Sequence, residues 1–211
     1  MYKIFNDLLL SCYNIAMENQ AIVVMGKSGS GKGTQVELIS RVLRERGADV
    51  YEIEMGESFR NFLRESNYTA EKANNIAQEG GLQPDFLANY FLAAELIKYH
   101  NGKRNFIFDG TPRTKRQARV LDGALRFYQV ENPIVLYLDV EDKVVLDRMQ
   151  ERGRSDDDIN IIRNRLEWFE KETIRALEFF KTNSDYYTVH IIDGMKSIEE
   201  VEESIRKAIS L

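Results

Sequence analysis

From residue 21 onward the chain alternates short β-rich runs with longer stretches in which apolar residues recur every three or four positions. The first run, Ala21-Ile22-Val23-Val24-Met25, predicts a buried strand that breaks at Gly26. Lys32 to Arg46 carries Val36, Ile39, Val42 and Leu43 on one face and stops at Gly47, the pattern of an amphipathic helix with a C-terminal glycine. Val50 to Ile53, Phe106 to Phe108, Ile134 to Val140 and Val189 to Ile192 read as four more strands, separated by helical stretches. Five strands with helices between them predict an α/β fold, a doubly wound five-stranded parallel sheet with helices on both faces. Upstream, Ile4, Phe5, Leu8, Leu9, Cys12, Ile15 and Ala16 fall at helical spacing. Residues 1–20 are therefore expected as an N-terminal amphipathic helix, which either caps the core or docks on a partner. Residues 21–211 hold no repeat, low-complexity tract or long linker and are expected to form one domain.

Composition narrows the function. At 211 residues, 43% hydrophobic and 30% charged, the chain is long enough for one α/β domain and too apolar to be disordered. With 29 basic and 34 acidic residues the net charge is −5, so no global positive field exists for a nucleic acid, and any anion must be held by local groups. Cys12 is the single cysteine, which excludes an internal disulfide, a four-cysteine zinc site and an iron–sulfur cluster and fits a reducing, cytoplasmic setting. No apolar run approaches the ~18 residues of a membrane span. Leu8-Leu9-Leu10-Ser11-Cys12 superficially resembles a short signal, but Asp7 precedes it and Asn14 and Glu18 follow closely.

The chemistry begins after the first strand. Gly26-Lys27-Ser28-Gly29-Ser30-Gly31-Lys32-Gly33-Thr34 satisfies Gly-x4-Gly-Lys at a strand-to-helix junction, the context a phosphate-binding loop requires. Glycines let successive amides turn toward phosphate oxygens, the helix adds its positive end, and Lys32 supplies a mobile charge. Gly33 stands where Ser or Thr usually follows the lysine, and Thr34 comes one place later. The string Gly26 to Gln35 resembles the adenylate kinase branch of the nucleoside monophosphate kinases. That resemblance implies a P-loop NTPase-type fold and places ATP binding on Gly29, Ser30, Gly31, Lys32, Gly33 and Thr34.

A second constellation agrees with the first. Phe106-Ile107-Phe108-Asp109 is an apolar strand ending in a carboxylate, placed to hold magnesium through its water shell; alone, such an Asp is more often a helix cap. Asp109-Gly110-Thr111-Pro112-Arg113-Thr114-x-x-Gln117 resembles the family's Asp-Gly-Phe-Pro-Arg-Thr-x-x-Gln signature. The resemblance assigns Arg113 to the acceptor's phosphate and Gln117 to the adenine edge. Gly56-Glu57-Ser58-Phe59-Arg60 resembles the opening of the monophosphate-binding segment, with Arg60 as a second phosphate ligand. Gly80-Gly81-Leu82-Gln83-Pro84-Asp85 resembles its exit. Residues 54–83 are thus expected as a small helical insertion, with AMP contacts at Met55, Gly56, Arg60, Gln83, Gly110, Arg113 and Gln117.

Phosphoryl transfer gathers negative charge, so it depends on positioning and on cations, for which arginine's charged fork is suited. After the fourth strand, Arg148, Arg152, Arg154 and Arg165 match in order the arginines of the short-lid adenylate kinases. The resemblance implies catalytic roles for Lys32, Arg113, Arg148, Arg154, Arg165 and Asp109, and ATP contacts from Arg148 and Arg152. The lid, about residues 148–158, is very short; a zinc-binding lid is excluded, and some ATP hydrolysis is expected. Asp156, Asp157 and Asp158 are expected to cap the following helix. His100 and His190 have no metal-ligand spacing. No general base is needed, because the attacking phosphate oxygen is already ionised.

Three positions near the acceptor depart from the family: Met55 where a Thr or small residue is usual, Glu57 for Asp, and Thr111 for an aromatic residue. Met55 cannot donate a hydroxyl hydrogen bond to a base. UMP/CMP kinases usually carry Asn at the places of Thr114 and Gln117, which favours AMP. A GTPase would need an Asn-Lys-x-Asp motif, and none occurs. The expected activity is Mg²⁺-dependent transfer from ATP to AMP by a monomer. The alternatives are a kinase for another monophosphate, or a nucleotide-binding regulatory domain without turnover.

Overall fold

The computed structural model describes residues 18–152 and 158–211, except the side chain of Arg152. The expected N-terminal helix lies almost wholly outside these residues. Five strands run parallel: β1 (Ala21–Gly26), β2 (Val50–Glu54), β3 (Asn105–Asp109), β4 (Ile134–Asp139) and β5 (Thr188–Asp193). Their order across the sheet is β2-β3-β1-β4-β5. The doubly wound sheet read from the apolar runs is therefore present, with β1 at its centre.

Because strand side chains alternate, β1 feeds two cores. Ala21, Val23 and Met25 face the layer of α4 (Asp85–Tyr99), α5 (Lys115–Phe127) and α8 (Ile174–Thr182), against Leu92, Leu121 and Phe180. Ile22 and Val24 face α1 (Lys32–Glu45) and α9 (Ile198–Ala208), against Ile39, Leu43 and Ile205. At ~25 cal/mol per Å² of apolar surface, two buried faces give the central strand its hold, which is why these runs are apolar without alternation. No described helix is long and apolar enough to cross a membrane.

The connections determine what stands at the C-terminal edge of the sheet. There the order reverses on either side of β1, and ligands of open α/β sheets bind in that crevice. β1 ends in Gly26, and the other four strands end in Glu54, Asp109, Asp139 and Asp193. Glu54 and Asp109 are neighbours in register. β2 passes without a loop into α2 (Met55–Phe62), followed by α3 (Tyr68–Gln78). The Asn67 side chain accepts from the Ala70 amide and caps α3.

β4 leads to α6 (Asp142–Arg152), so the first part of the stretch read as a lid is helical. Asp158 caps α7 (Ile159–Trp168), its carboxylate accepting from the Asn160 and Ile161 amides. Asp156 and Asp157 lie outside the described residues. Between α7 and α8 the helix widens into one π-helical stretch, Phe169–Thr173, which apolar spacing does not signal. Packing partners change there: Ile162 and Leu166 pack with Val145 and Met149 of α6, whereas Phe169, Leu177 and Phe180 join the core against the sheet.

Candidate active site

The Gly26–Thr34 loop is shaped by its own backbone. Ser30 N donates to Lys27 O at 3.1 Å, and Lys32 Nζ donates to Gly26 O at 2.9 Å and Lys27 O at 2.8 Å. Gly31 has φ +94° with open space where a Cβ would be, a conformation that glycine adopts without strain. Gly29, at φ +81°, rests on α6, where a Cβ would come within 2.5 Å of Met149 Cγ. No side chain caps α1, so its first-turn amides are open to an anion. The loop, the lysine and the helix end converge on a space suited to a polyphosphate.

Asp109 closes this end. A Cβ on Gly33 would be 3.7 Å from Asp109 Oδ2, so the second glycine of Lys-Gly-Thr lies against the carboxylate. Burial raises the Asp109 pKa; Lys32 opposes this and Glu54 adds to it. A desolvated carboxylate beside the loop, with Thr34 also lining the cleft, offers hard oxygen donors that fit Mg²⁺. Among the described residues no cluster of three or more His, Cys, Asp or Glu forms an all-protein metal cage.

The opposite end is built from side chains. Arg113 Nε donates to Gly110 O at 2.9 Å, and the Arg113 amide donates to Gln117 Oε1 at 2.8 Å. Gln117 Nε2 in turn donates to Asp85 Oδ1 at 3.0 Å, so both ends of this buried amide already have partners. Thr114 Oγ1 donates to the same Asp85 oxygen at 2.7 Å and caps α5 by accepting from Gln117 N. Arg60 Nη2 donates to Glu54 Oε1 at 2.7 Å. Packing by the surrounding protein lowers the Arg113 pKa, with further lowering from Arg165 and Arg60 and opposition from Asp109. The guanidinium still meets solvent along the cleft and stays protonated.

One cleft of about 1,000 Å³ brings these parts together. Gly29, Ser30, Gly31, Lys32, Gly33 and Thr34 line it with Gly56, Arg60, Gln83, Asp109, Gly110, Arg113, Arg148 and Arg165. Met55 and Gln117 instead line an adjoining cavity of about 20 Å³, with Gln83 and Arg113 belonging to both. Met55 is 2% exposed and faces Phe59 and Leu82 there. Arg148 donates to Gly194 O at 3.1 Å and approaches Ser30 O at 3.5 Å, linking α6 to the loop after β5 and to the phosphate loop. Arg152 closes α6, and its side chain, like the whole of Arg154, lies outside the described residues.

Several residues that shape the cleft had no place in the sequence reading of the site. Trp168, Phe169 and Thr173 line it from the π-helical stretch. Thr173 Oγ1 donates to Arg113 O at 3.0 Å. Asp85 was visible beside Pro84, but its grip on Gln117 was not. Glu54 and Lys27 could have been flagged as charges at the end of an apolar strand and inside a glycine loop.

A strand, a glycine loop with its lysine at the N-terminus of a helix, and an acidic neighbouring strand end define a P-loop nucleotide-binding α/β protein. The family model described as adenylate kinase matches residues 24–185. An adenylate kinase of Azobacteroides pseudotrichonymphae is 34% identical over 192 residues, covering 89% of this chain and 96% of that protein. Those of Oenococcus oeni and Flavobacterium psychrophilum are 31% and 30% identical, each covering 90% of this chain and 97% of the relative. The chain belongs to the adenylate kinase family and is a phosphotransferase acting on nucleoside monophosphates.

Proposed function

We propose that the protein catalyses reversible, Mg²⁺-dependent transfer of the γ-phosphoryl group of ATP to AMP, giving two ADP. The observation that carries this reading is the single cleft onto which the Lys32 loop, Asp109, Arg60, Arg113, Arg148 and Arg165 all open. An oxygen of the acceptor's phosphate forms a bond to the γ-phosphorus as the bond to the β-bridging oxygen breaks, and ADP leaves. Lys32, which rests on two loop carbonyls, exchanges them for phosphate oxygens; Arg113 and Arg60 orient the acceptor phosphate. Arg148, Arg154 and Arg165 offset the charge of the transferring group. Asp109 would hold a Mg²⁺ ion brought with ATP through its water shell, and the ion would supply positive charge to offset that of the phosphates. Residues 54–83 cover the acceptor, and 148–158 serve as the lid over the donor. The described lining of the cleft comes from one chain, which supports a monomer, and the lone cysteine supports a reducing, cytoplasmic setting.

One observation favours a second reading, an acceptor other than AMP. Met55 offers no hydrogen bond, and Gln117, which gives one amide hydrogen to Asp85 and one carbonyl lone pair to the Arg113 amide, keeps only one of each for a base, so base choice rests on fewer groups than in the family pattern. The test is diphosphate formation by the purified protein with ATP and Mg²⁺, offering AMP, dAMP, CMP, UMP, GMP and TMP separately. ADP formed chiefly with AMP supports the first reading, and product chiefly from another base establishes the second. No product from any acceptor overturns both and leaves a regulatory nucleotide-binding domain.

A further inference from the structure

Lys27 is a charged residue in a loop position that faces away from the cleft, and its side chain is nine-tenths buried. A buried ammonium needs all its hydrogens satisfied. Lys27 Nζ donates to Asp142 Oδ1 at 2.5 Å and to Val140 O at 3.2 Å, and lies 3.6 Å from Glu170 Oε1. These partners belong to three places: the residue just after β4, the first turn of α6, and the π-helical stretch. The same residue's carbonyl receives Lys32 Nζ and the Ser30 amide. Lys27 therefore holds the donor loop from within through its backbone and anchors it outward through its side chain.

Glu170 has a near neighbour along the same π-helical stretch. Three residues on, Thr173 Oγ1 donates to Arg113 O, on the loop that carries the acceptor arginine. A continuous path thus runs from Lys32 through Lys27 and Glu170 to Thr173 and Arg113. In-line phosphoryl transfer tolerates little error in the spacing of donor and acceptor, since misplacement by ~1 Å can cost about a hundredfold in rate. Resting on the reading of the cleft as a phosphotransfer site, we propose that Lys27 is a positioning residue: Asp142 and the Val140 carbonyl fix its ammonium beside α6, Glu170 ties it to the π-helical stretch, and Thr173 carries that tie to the acceptor arginine.

The experiment compares wild type, Lys27→Met, Lys27→Arg, Thr173→Val and the Met/Val double variant of the full chain, with kcat and both Michaelis constants measured. Lys27→Met keeps the length of the side chain and removes its charge. Expected is a fall in kcat of about tenfold, with the KM for ATP changed by less than about threefold. The KM for the acceptor rises as well, although Lys27 lies on the donor loop. Lys27→Arg restores most of the kcat. The double variant loses less than the product of the two single losses, because both cut one path. Losses that multiply independently, or a lowered Tm with unchanged kinetics, overturn the proposal. Should Lys27→Met fold poorly, Glu170→Gln at the exposed end of the contact gives the same reading: unchanged kcat there also overturns it. An inactive wild type would instead show that the reading of the cleft itself has failed.

Discussion

The two ends of the cleft hold anions by different means. At the donor end the binding groups are main-chain amides, a helix terminus and a lysine resting on two carbonyls, so the shape of the loop is itself the site. At the acceptor end the polar groups are mainly side chains already engaged with neighbours: Arg60 with Glu54, Gln117 with Asp85 and the Arg113 amide, and Arg113 with the Gly110 carbonyl. A backbone site admits few sequence solutions, and here the loop follows the family pattern closely. A side-chain site can change one residue at a time, and the departures at Met55, Glu57 and Thr111 cluster there. On the proposed function, phosphate binding rests on the backbone of the fold and the choice of acceptor on exchangeable side chains.

Variants at each end sharpen the contrast. Lys32→Met removes the charge that meets the transferring phosphoryl group, and kcat should fall about 100- to 1,000-fold, as when one preorganised transition-state donor is lost. Steady-state rates with thermal melts check it; a full-rate, folded variant would detach the loop from the chemistry. Gln117→Ala breaks the link to Asp85 and should raise the KM for AMP about tenfold with a smaller change in kcat, the scale of one or two lost hydrogen bonds at ~1–3 kcal/mol. The same variant should narrow the gap between AMP and other acceptors, measured as ratios of kcat/KM. Glu54→Gln frees Arg60 and removes a negative neighbour of Asp109, so the acceptor KM should fall about two- to fivefold, the value of one exposed ion pair. A rise instead would place Glu54 among the substrate contacts.

The smallest effect lies away from both ends, where β1 and β3 begin. His100 stacks on Tyr128 at 3.9 Å, and burial, aided by Arg104, lowers its pKa below the ordinary 6.5. The folded state therefore disfavours the imidazolium. The stability that follows from a neutral His100 is complete above pH 6.5 and is lost as the pH falls from there through the lowered value. Melting temperature followed from pH 7.5 to 5 should drop more steeply for wild type than for His100→Gln, with no difference in base preference.

Most of the framework could be read from the chain. Short β-rich runs marked five strands; β1 is apolar throughout because it is covered on both faces, whereas the edge strands β2 and β5 carry Glu52 and His190, and observed strand ends differ from expectation by one residue. One of those residues matters: β2 runs on to Glu54, which places that carboxylate beside Asp109. Motif spacing led to the residues that now line the cleft, since glycines and arginines at fixed intervals carry a mechanism. Hidden from the sequence were contacts between residues far apart in the chain, such as Lys27 with Glu170 and Asp85 with Gln117. The π-helical stretch was equally silent, because one wide turn leaves the apolar spacing of its neighbours intact.

The Arg60–Glu54 pair has a consequence for life among competing anions. A cell is rich in small anions such as inorganic phosphate and sulfate, any of which could settle on an uncovered guanidinium and block the acceptor end. A carboxylate already seated on Arg60 must be displaced first, and a lone small anion, with no sugar or base to add contacts, gains little by doing so. A nucleotide brings those further contacts along and overcomes the incumbent. The pair is half-exposed and worth only about 0.2–1 kcal/mol, so it costs a lone small anion a factor of a few and a nucleotide proportionately less.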